Sequence, residues 1–198
     1  MASNRKSSHP PVLSPYMPPQ GDTPGYIQGQ TGPQGFGSRN FYVAQIPCRE
    51  ARAVILANHY SRRIVNNSYI HLGVFIKVVF LGVLQFGYAL CPHRAGKVVK
   101  DTVQGEYLEL NRMWLSDEAP RNSESRAISC AVKYIRRACP AVAWIQSFAD
   151  ERCGGLGAVY PAANFLYIGS HKTGFYGLYG ETYHDMMASC EDTKSGLD

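Results

Sequence analysis

Asp150 closes an apolar run, Val142 to Phe148, that is short and β-branched enough to form a buried strand. A carboxylate left at the carboxyl end of a core strand stands where α/β proteins commonly build their sites. Cys153-Gly154-Gly155 then reads as a turn into a short helix whose first N–H groups are free to meet negative charge. Tyr160 follows, and Phe165 to Ile168 has the pattern of a further strand. An acid for proton transfer, backbone donors and a phenol would thus share one mouth. A second polar constellation, Asn58-His59-Tyr60-Ser61-Arg62-Arg63, sets a His-Tyr pair beside two arginines in a turn.

These groups need elements to hold them. Phe41 to Ile46 alternates as a strand, Pro47 ends it, and Arg49 to Asn58 reads as a helix. The apolar stretch Tyr69 to Tyr88 is interrupted by His71, Lys77, Gln85 and three glycines. It therefore fits two strands joined near Lys77 and not a membrane span. A basic loop with His93, Arg94, Lys97 and Lys100 follows. Tyr107 to Leu115 is the next strand; Glu109, Asn111 and Arg112 break its period of two, which predicts a bulge. Ser123 reads as the N-cap of a helix that runs to about Cys139, before Pro140. On that helix Ile128, Ala131, Val132, Ile135 and Cys139 form one buried stripe. Arg126, Lys133 and Arg137, with Arg136 beside them, lie opposite. That face is either a solvated surface or a set of phosphate contacts.

The chain has 198 residues and is 45% hydrophobic, enough for one core. Its +5 net charge suits a polyanionic partner without requiring one. Residues 1–40, rich in Pro, Gly and Gln, are expected to be a disordered tail. A folded domain over 41–190 and a short tail over 191–198 complete the plan. No signal-peptide pattern opens the chain, so we expect a protein that is not secreted. Its six cysteines, none in a CxxC pair, are then free thiols in a reducing compartment.

From Phe41 onward the order is strand, helix, three strands, helix, strand, helix, two strands. That is α+β with a mixed central sheet, and it resembles the acetyltransferase-type (GNAT) layout. Four segments make the resemblance narrower: Asn58-His59-Tyr60-Ser61, Glu109-Leu110-Asn111-Arg112, Asn122-Ser123-Glu124-Ser125-Arg126, and Ser147-Phe148-Ala149-Asp150 with the Gly-Gly and Asn-Phe-Leu-Tyr-Ile-Gly that follow. In their order and spacing over about residues 41–184 these resemble the Mom family of phage DNA-modification proteins. The resemblance implies an enzyme of the host-cell cytoplasm that converts adenine in DNA to N6-(carbamoylmethyl)adenine and shields phage DNA from restriction. It implies functional roles for His59, Tyr60, Arg112, Ser125, Asp150 and Tyr160. The glycine-rich pyrophosphate loop of acetyltransferases is missing, because no glycine lies between Leu115 and Ser125. Arg121, Ser123 and Arg126 at the helix N-terminus remain as holders of a phosphate.

Adenine N6 is a poor nucleophile, so an enzyme must orient it, take a proton and stabilise an oxyanion. On this reading Asp150 accepts the N6 hydrogen with His59 sharing the role. Tyr60 or Tyr160 donates to a carbonyl oxygen, and Arg112 holds an anionic group or orients Asp150. Each also has a plainer use: Asp150 as a helix cap, His59 as a loop cap, Arg112 in an ion pair with Glu109 or Asp150, Tyr160 as a packed aromatic. The adenine must be flipped out or single-stranded. Tyr60, Phe175, Tyr176 and Tyr179 are candidates to stack on it, with Lys133, Arg136, Arg137, Arg62 and Arg63 contacting the DNA. For the donor, a glycyl ester such as glycyl-tRNA is favoured over acetyl-coenzyme A. The basic loop Arg94 to Lys100 would suit its phosphates. Iron on His59 and Asp150 is the lesser reading, for want of a third ligand. The alternatives are a conventional N-acyltransferase of the same fold and a non-catalytic nucleic-acid-binding module.

Overall fold

Strand alternation decides which residues each face of the sheet presents. The computed structural model describes residues 12, 16–89, 92–150, 157–170, 175–178 and 181–184. It divides at Leu166/Tyr167 into two units. The first unit contains β1 (Gly25–Gln28), β2 (Pro33–Ser38), β3 (Phe41–Gln45), α1 (Cys48–Asn58), β4 (Ser68–Ile76) and β5 (Val79–Gly87). A 3₁₀ turn (Pro92–Lys97), β6 (Tyr107–Leu115), α2 (Ser123–Ala138), β7 (Trp144–Gln146) and α3 (Val159–Ala162) complete it. The seven strands lie side by side in chain order. All neighbours are antiparallel except β6 and β7, which α2 joins as a parallel pair. The second unit carries an antiparallel pair, β8 (Phe175–Leu178) and β9 (Glu181–His184). No helix among the described residues is long and apolar enough to cross a membrane.

One face of the sheet packs against α2. Ile70, Leu72 and Val74 of β4, Leu84 and Phe86 of β5, and Leu108 and Leu110 of β6 meet Ile128, Ala131 and Ile135 there. The predicted helical stripe is thus the buried one. The other face packs against α1, where Ala51, Val54 and Ile55 cover Tyr42, Phe75 and Val83.

The predicted bulge is present. Gln85 of β5 pairs with Arg112 and Phe86 with Leu110, so Asn111 is the extra residue on β6. Parity confirms it, since the residues of β6 turned to the α2 core change from Leu108 and Leu110 to Met113 and Leu115. The consequence is that Glu109, Asn111 and Arg112 all stand on the α1 face, which a regular strand would not allow.

Four expectations change. The tail reading of residues 1–40 fails from residue 25 on, where β1 and β2 extend the sheet and bury Ile27 and Phe36. The glycines that suggested disorder serve there as close-approach positions: a Cβ on Gly37, whose φ is +152°, would meet the backbone of Phe41 and Tyr42. Residues 1–11 and the tail over 191–198 lie outside the described residues. The strand expected over 142–148 is only Trp144–Gln146, because β7 pairs with β6 over Tyr107–Glu109 alone and then leaves the sheet. Phe165 to Ile168 is not a strand; it joins no ladder among the described residues, and Leu166 is 88% exposed. At α2, Ser123 is the first helical residue, and the cap is Asn122 in the left-handed region at φ 67°.

Candidate active site

The end of α1 sets the first group. His59 follows the helix directly, in extended backbone, with its N–H on the carbonyl of Ile55 at 3.0 Å. Its ring lies against that of Tyr60, centroids 4.3 Å apart. Two residues on, the Ser61 N–H donates to His59 Nδ1 at 3.1 Å, and Ser61 Oγ sits 2.9 Å from the same nitrogen. A backbone N–H can only donate, so Nδ1 is an acceptor and the neutral ring carries its proton on Nε2. His59 is 6% exposed. Burial first, and then the nearby Arg112 charge, lower its pKa to about 4. It is neutral at neutral pH.

The bulge on β6 sets the second group. Arg112 donates from Nε to the Arg63 carbonyl at 3.3 Å and from Nη1 to that of Asn111 at 2.7 Å. Burial weighs against its charge, while Tyr60 and Glu109 favour it. Glu109 accepts from Asn111 Nδ2 on one oxygen at 3.2 Å and from Gln146 Nε2 on the other at 3.1 Å. Burial nonetheless pushes the Glu109 pKa up, against the lowering from those donors and from Arg112. Asn111 also receives the Ser68 hydroxyl at 2.9 Å. A polar network on the α1 face therefore ties β4, β6 and β7 together beneath Arg112. Deeper on that face Gln85, paired across strands with Arg112, bonds His71 at 3.1 Å, and its own Oε1 is buried without a partner among the described residues.

The departure of β7 sets the third. After Gln146 the chain runs to Asp150, where the Tyr60 hydroxyl approaches Oδ2 at 3.4 Å. Tyr160 does not point at this mouth as a free phenol. Its hydroxyl donates to the Phe148 carbonyl at 3.2 Å, and its ring packs against the α2-side core. Burial raises its pKa. It restrains the segment that ends in Asp150.

His59, Tyr60, Arg112 and Asp150 are thus gathered, and Ser125 is not. Ser125 Oγ bonds the Asn122 carbonyl at 3.2 Å, on the opposite face of the sheet. It lines a separate cavity of about 420 Å³ together with Arg121, Ser123 and Arg126, the residues expected to hold a phosphate. The cationic stripe of α2 is less free than its sequence suggests. Arg126 lies 4.3 Å over the Phe41 ring, Lys133 5.3 Å over Phe36 and Arg137 5.2 Å over Tyr26. Arg136 is exposed beside them. Arg62 and Arg63 sit in the turn after Tyr60, next to the gathered cluster. The side chains of Arg94, Phe175 and Tyr176, and Tyr179 entirely, lie outside the described residues.

Sequence reading assigned no role to Ser61, Ser68 or Gln146, and saw Glu109 only as a partner for Arg112. The broken period of β6 was the signal that Glu109 and Asn111 share a face with Arg112; nothing in the sequence marked Ser68 or Gln146. Among the described residues no three His, Cys, Asp or Glu side chains could hold a metal ion. His59 also fits iron poorly. A metal-binding imidazole donates its second ring N–H to an acceptor, whereas Nδ1 here receives a backbone N–H.

Fold and site together define an α+β protein that gathers a buried imidazole with a half-buried guanidinium and carboxylate. Comparison narrows the class: the chain belongs to the Mom protein family, whose model matches residues 40–197. Over 152 residues it is 58% identical to the methylcarbamoylase Mom of Escherichia phage Mu. The match covers 77% of this chain and 63% of that protein's length.

Proposed function

We propose that this chain modifies adenine in DNA, converting it to N6-(carbamoylmethyl)adenine and so protecting phage DNA inside the host cell. The gathered His59, Tyr60, Arg112 and Asp150 would be its active centre. Family membership and the methylcarbamoylase relative support the reaction class. The observation that carries the reading is the meeting of Tyr60 and Asp150. A 62% exposed aromatic ring beside a carboxylate offers an extruded base both a stacking surface and an acceptor for N6–H.

The donor follows from the product. Transfer of an acetyl group to N6 gives N6–CO–CH3, not N6–CH2–CO–NH2. With a glycyl ester, N6 attacks the ester carbonyl, its proton passes through Asp150 to the leaving oxygen and the alcohol departs, leaving N6–CO–CH2–NH2. The free amine then closes a five-membered ring on adenine C6, and the original C6–N6 bond breaks. The result is C6–NH–CH2–CO–NH2. Glycyl-tRNA supplies such an ester, and the cavity at Arg121, Ser123 and Arg126 is a candidate holder for one of its phosphates. The sheet order, with β7 diverging from β6 beside the site, agrees with an acyltransferase-type fold.

Mass spectrometry of nucleosides from the DNA of cells expressing the protein tests the reaction; unmodified adenine throughout rejects it. DNA carrying 15N at adenine N6, supplied with purified enzyme and glycyl-tRNA, tests the donor. The label is expected in the terminal amide. Label on the ring-attached nitrogen, or turnover with acetyl-coenzyme A alone, rejects the glycyl route.

A further inference from the structure

We infer that His59 works as a neutral hydrogen-bond donor through Nε2, aimed at the donor's carbonyl oxygen, and that Ser61 is the positioning residue that fixes this tautomer. The inference deepens the proposed reaction and rests on that reading of the site. Its foundation is the geometry around Nδ1. The Ser61 N–H is aimed at that nitrogen, and the Ser61 hydroxyl, itself accepting the Arg63 N–H at 3.4 Å, has its proton free to donate to Nδ1 as well. The one basic lone pair of the ring is therefore occupied. His59 cannot share the role of base with Asp150, as sequence reading had it.

What remains is Nε2–H. It has no acceptor among the described residues, and it is not one of the polar atoms sealed in the interior. Arg112 stands close enough for its charge to be felt at His59. Among the described residues two of its N–H groups are occupied, both by main-chain carbonyls. A neutral imidazole N–H beside a guanidinium with free donors is a pair suited to an oxygen that gains negative charge. As N6 bonds to the glycyl carbon, the carbonyl π pair moves onto that oxygen. As the pair returns, the ester C–O bond breaks and the alcohol leaves. Asp150 takes the N6 proton and passes it to the departing alkoxide oxygen, and His59 donates a hydrogen bond without losing its own.

Histidine-selective 15N NMR, with His59 assigned by its loss in His59→Gln, reads the tautomer without any turnover. We expect protonated Nε2, unprotonated Nδ1 and no titration between about pH 8 and about pH 5, the window of an ordinary imidazole. A proton on Nδ1, or titration in that window, overturns the inference. Ser61→Ala should shift the Nδ1 resonance, and Ser61→Thr should restore it; no shift removes Ser61 from the role. In the DNA-modification assay His59→Gln, whose amide can donate from the same place, should stay within about tenfold of the parent. His59→Ala should lose about 10²–10³-fold. Equal loss in both, with folded protein, overturns the donor role. If the parent makes no modified adenine while NMR finds the expected tautomer, it is the reaction assignment that fails.

Discussion

Tyr60 and Asp150 are 90 positions apart in the chain, yet the phenol of one lies 3.4 Å from the carboxylate of the other. Neither belongs to a helix or strand. Tyr60 is delivered by the end of α1, and Asp150 by the departure of β7 from the sheet after only three ladder positions. The contact is long for an O–H···O bond.

If Asp150 takes the N6 proton, Asp150→Asn should cut DNA modification by about 10²–10⁴-fold, the usual contribution of a general base. Its far-ultraviolet circular dichroism and melting should stay near those of the parent, because Asp150 lies outside every helix and strand. Modification within a few-fold of the parent would remove Asp150 from the chemistry.

Tyr160→Phe separates positioning from catalysis. The change removes the bond to the Phe148 carbonyl and leaves the packed ring in place. One such bond is worth about 1 kcal/mol. We expect a small loss of stability and a fall in kcat of at most about tenfold, set by the looser segment carrying Asp150. A fall as large as that of Asp150→Asn would make Tyr160 a group that touches substrate.

Much of this arrangement was legible in the sequence, and the failures have physical causes. From Phe41 the order of elements, the Tyr107–Leu115 strand and its bulge were readable, because apolar spacing records which face a residue buries. The pairing of β1 and β2 was not readable. Their stability comes from neighbours, with Phe36 against Tyr26 and both under the α2 cations, and composition does not record neighbours. The gathering of His59, Tyr60 and Asp150 was suggested by resemblance alone. The tautomer of His59 was beyond reach, since it depends on one backbone N–H.

Stability should depend on pH through His59. Its folded pKa of about 4 lies below the ordinary 6.5, so between those values the unfolded chain binds more protons. Stability is then full above about 6.5 and falls as pH drops toward 4. The loss is on the order of 3 kcal/mol at most, at about 1.4 kcal/mol per pKa unit. His71, lowered by burial and then by Arg52, acts with the same sign. Glu109, raised by burial, acts oppositely: its contribution is present at low pH and fades as pH rises through the carboxylate range. Urea unfolding across this range should show a shallower slope in His59→Gln than in the parent. Equal slopes would mean that His59 keeps an ordinary pKa.

Gly87 tests the strand that supports the polar network. A Cβ there would come within 2.0 Å of the Asn67 carbonyl oxygen and 2.6 Å of the Ser68 Cα, both main-chain atoms that cannot turn aside. Gly87→Ala should push β4 from β5 at the end where Ser68 meets Asn111, costing about 1–3 kcal/mol as overpacking does. Parent-like stability would show that this end of the sheet yields without cost.

The α2 cations should divide into two behaviours. Lys133 and Arg137 lie over Phe36 and Tyr26, so neutral replacements should lower stability by about 0.5–1 kcal/mol each whether or not DNA is present. Arg136 is exposed beside them, and its replacement should leave stability unchanged. If Arg136 meets a backbone phosphate, the slope of log K for duplex binding against log salt should fall by about 0.9 in Arg136→Gln. A full set of melts and salt titrations on the three single variants resolves the matter. An unchanged slope for Arg136→Gln, beside reduced melting for the other two, would make this face structural. DNA contact would then be left to Arg62 and Arg63 in the turn beside His59 and Tyr60.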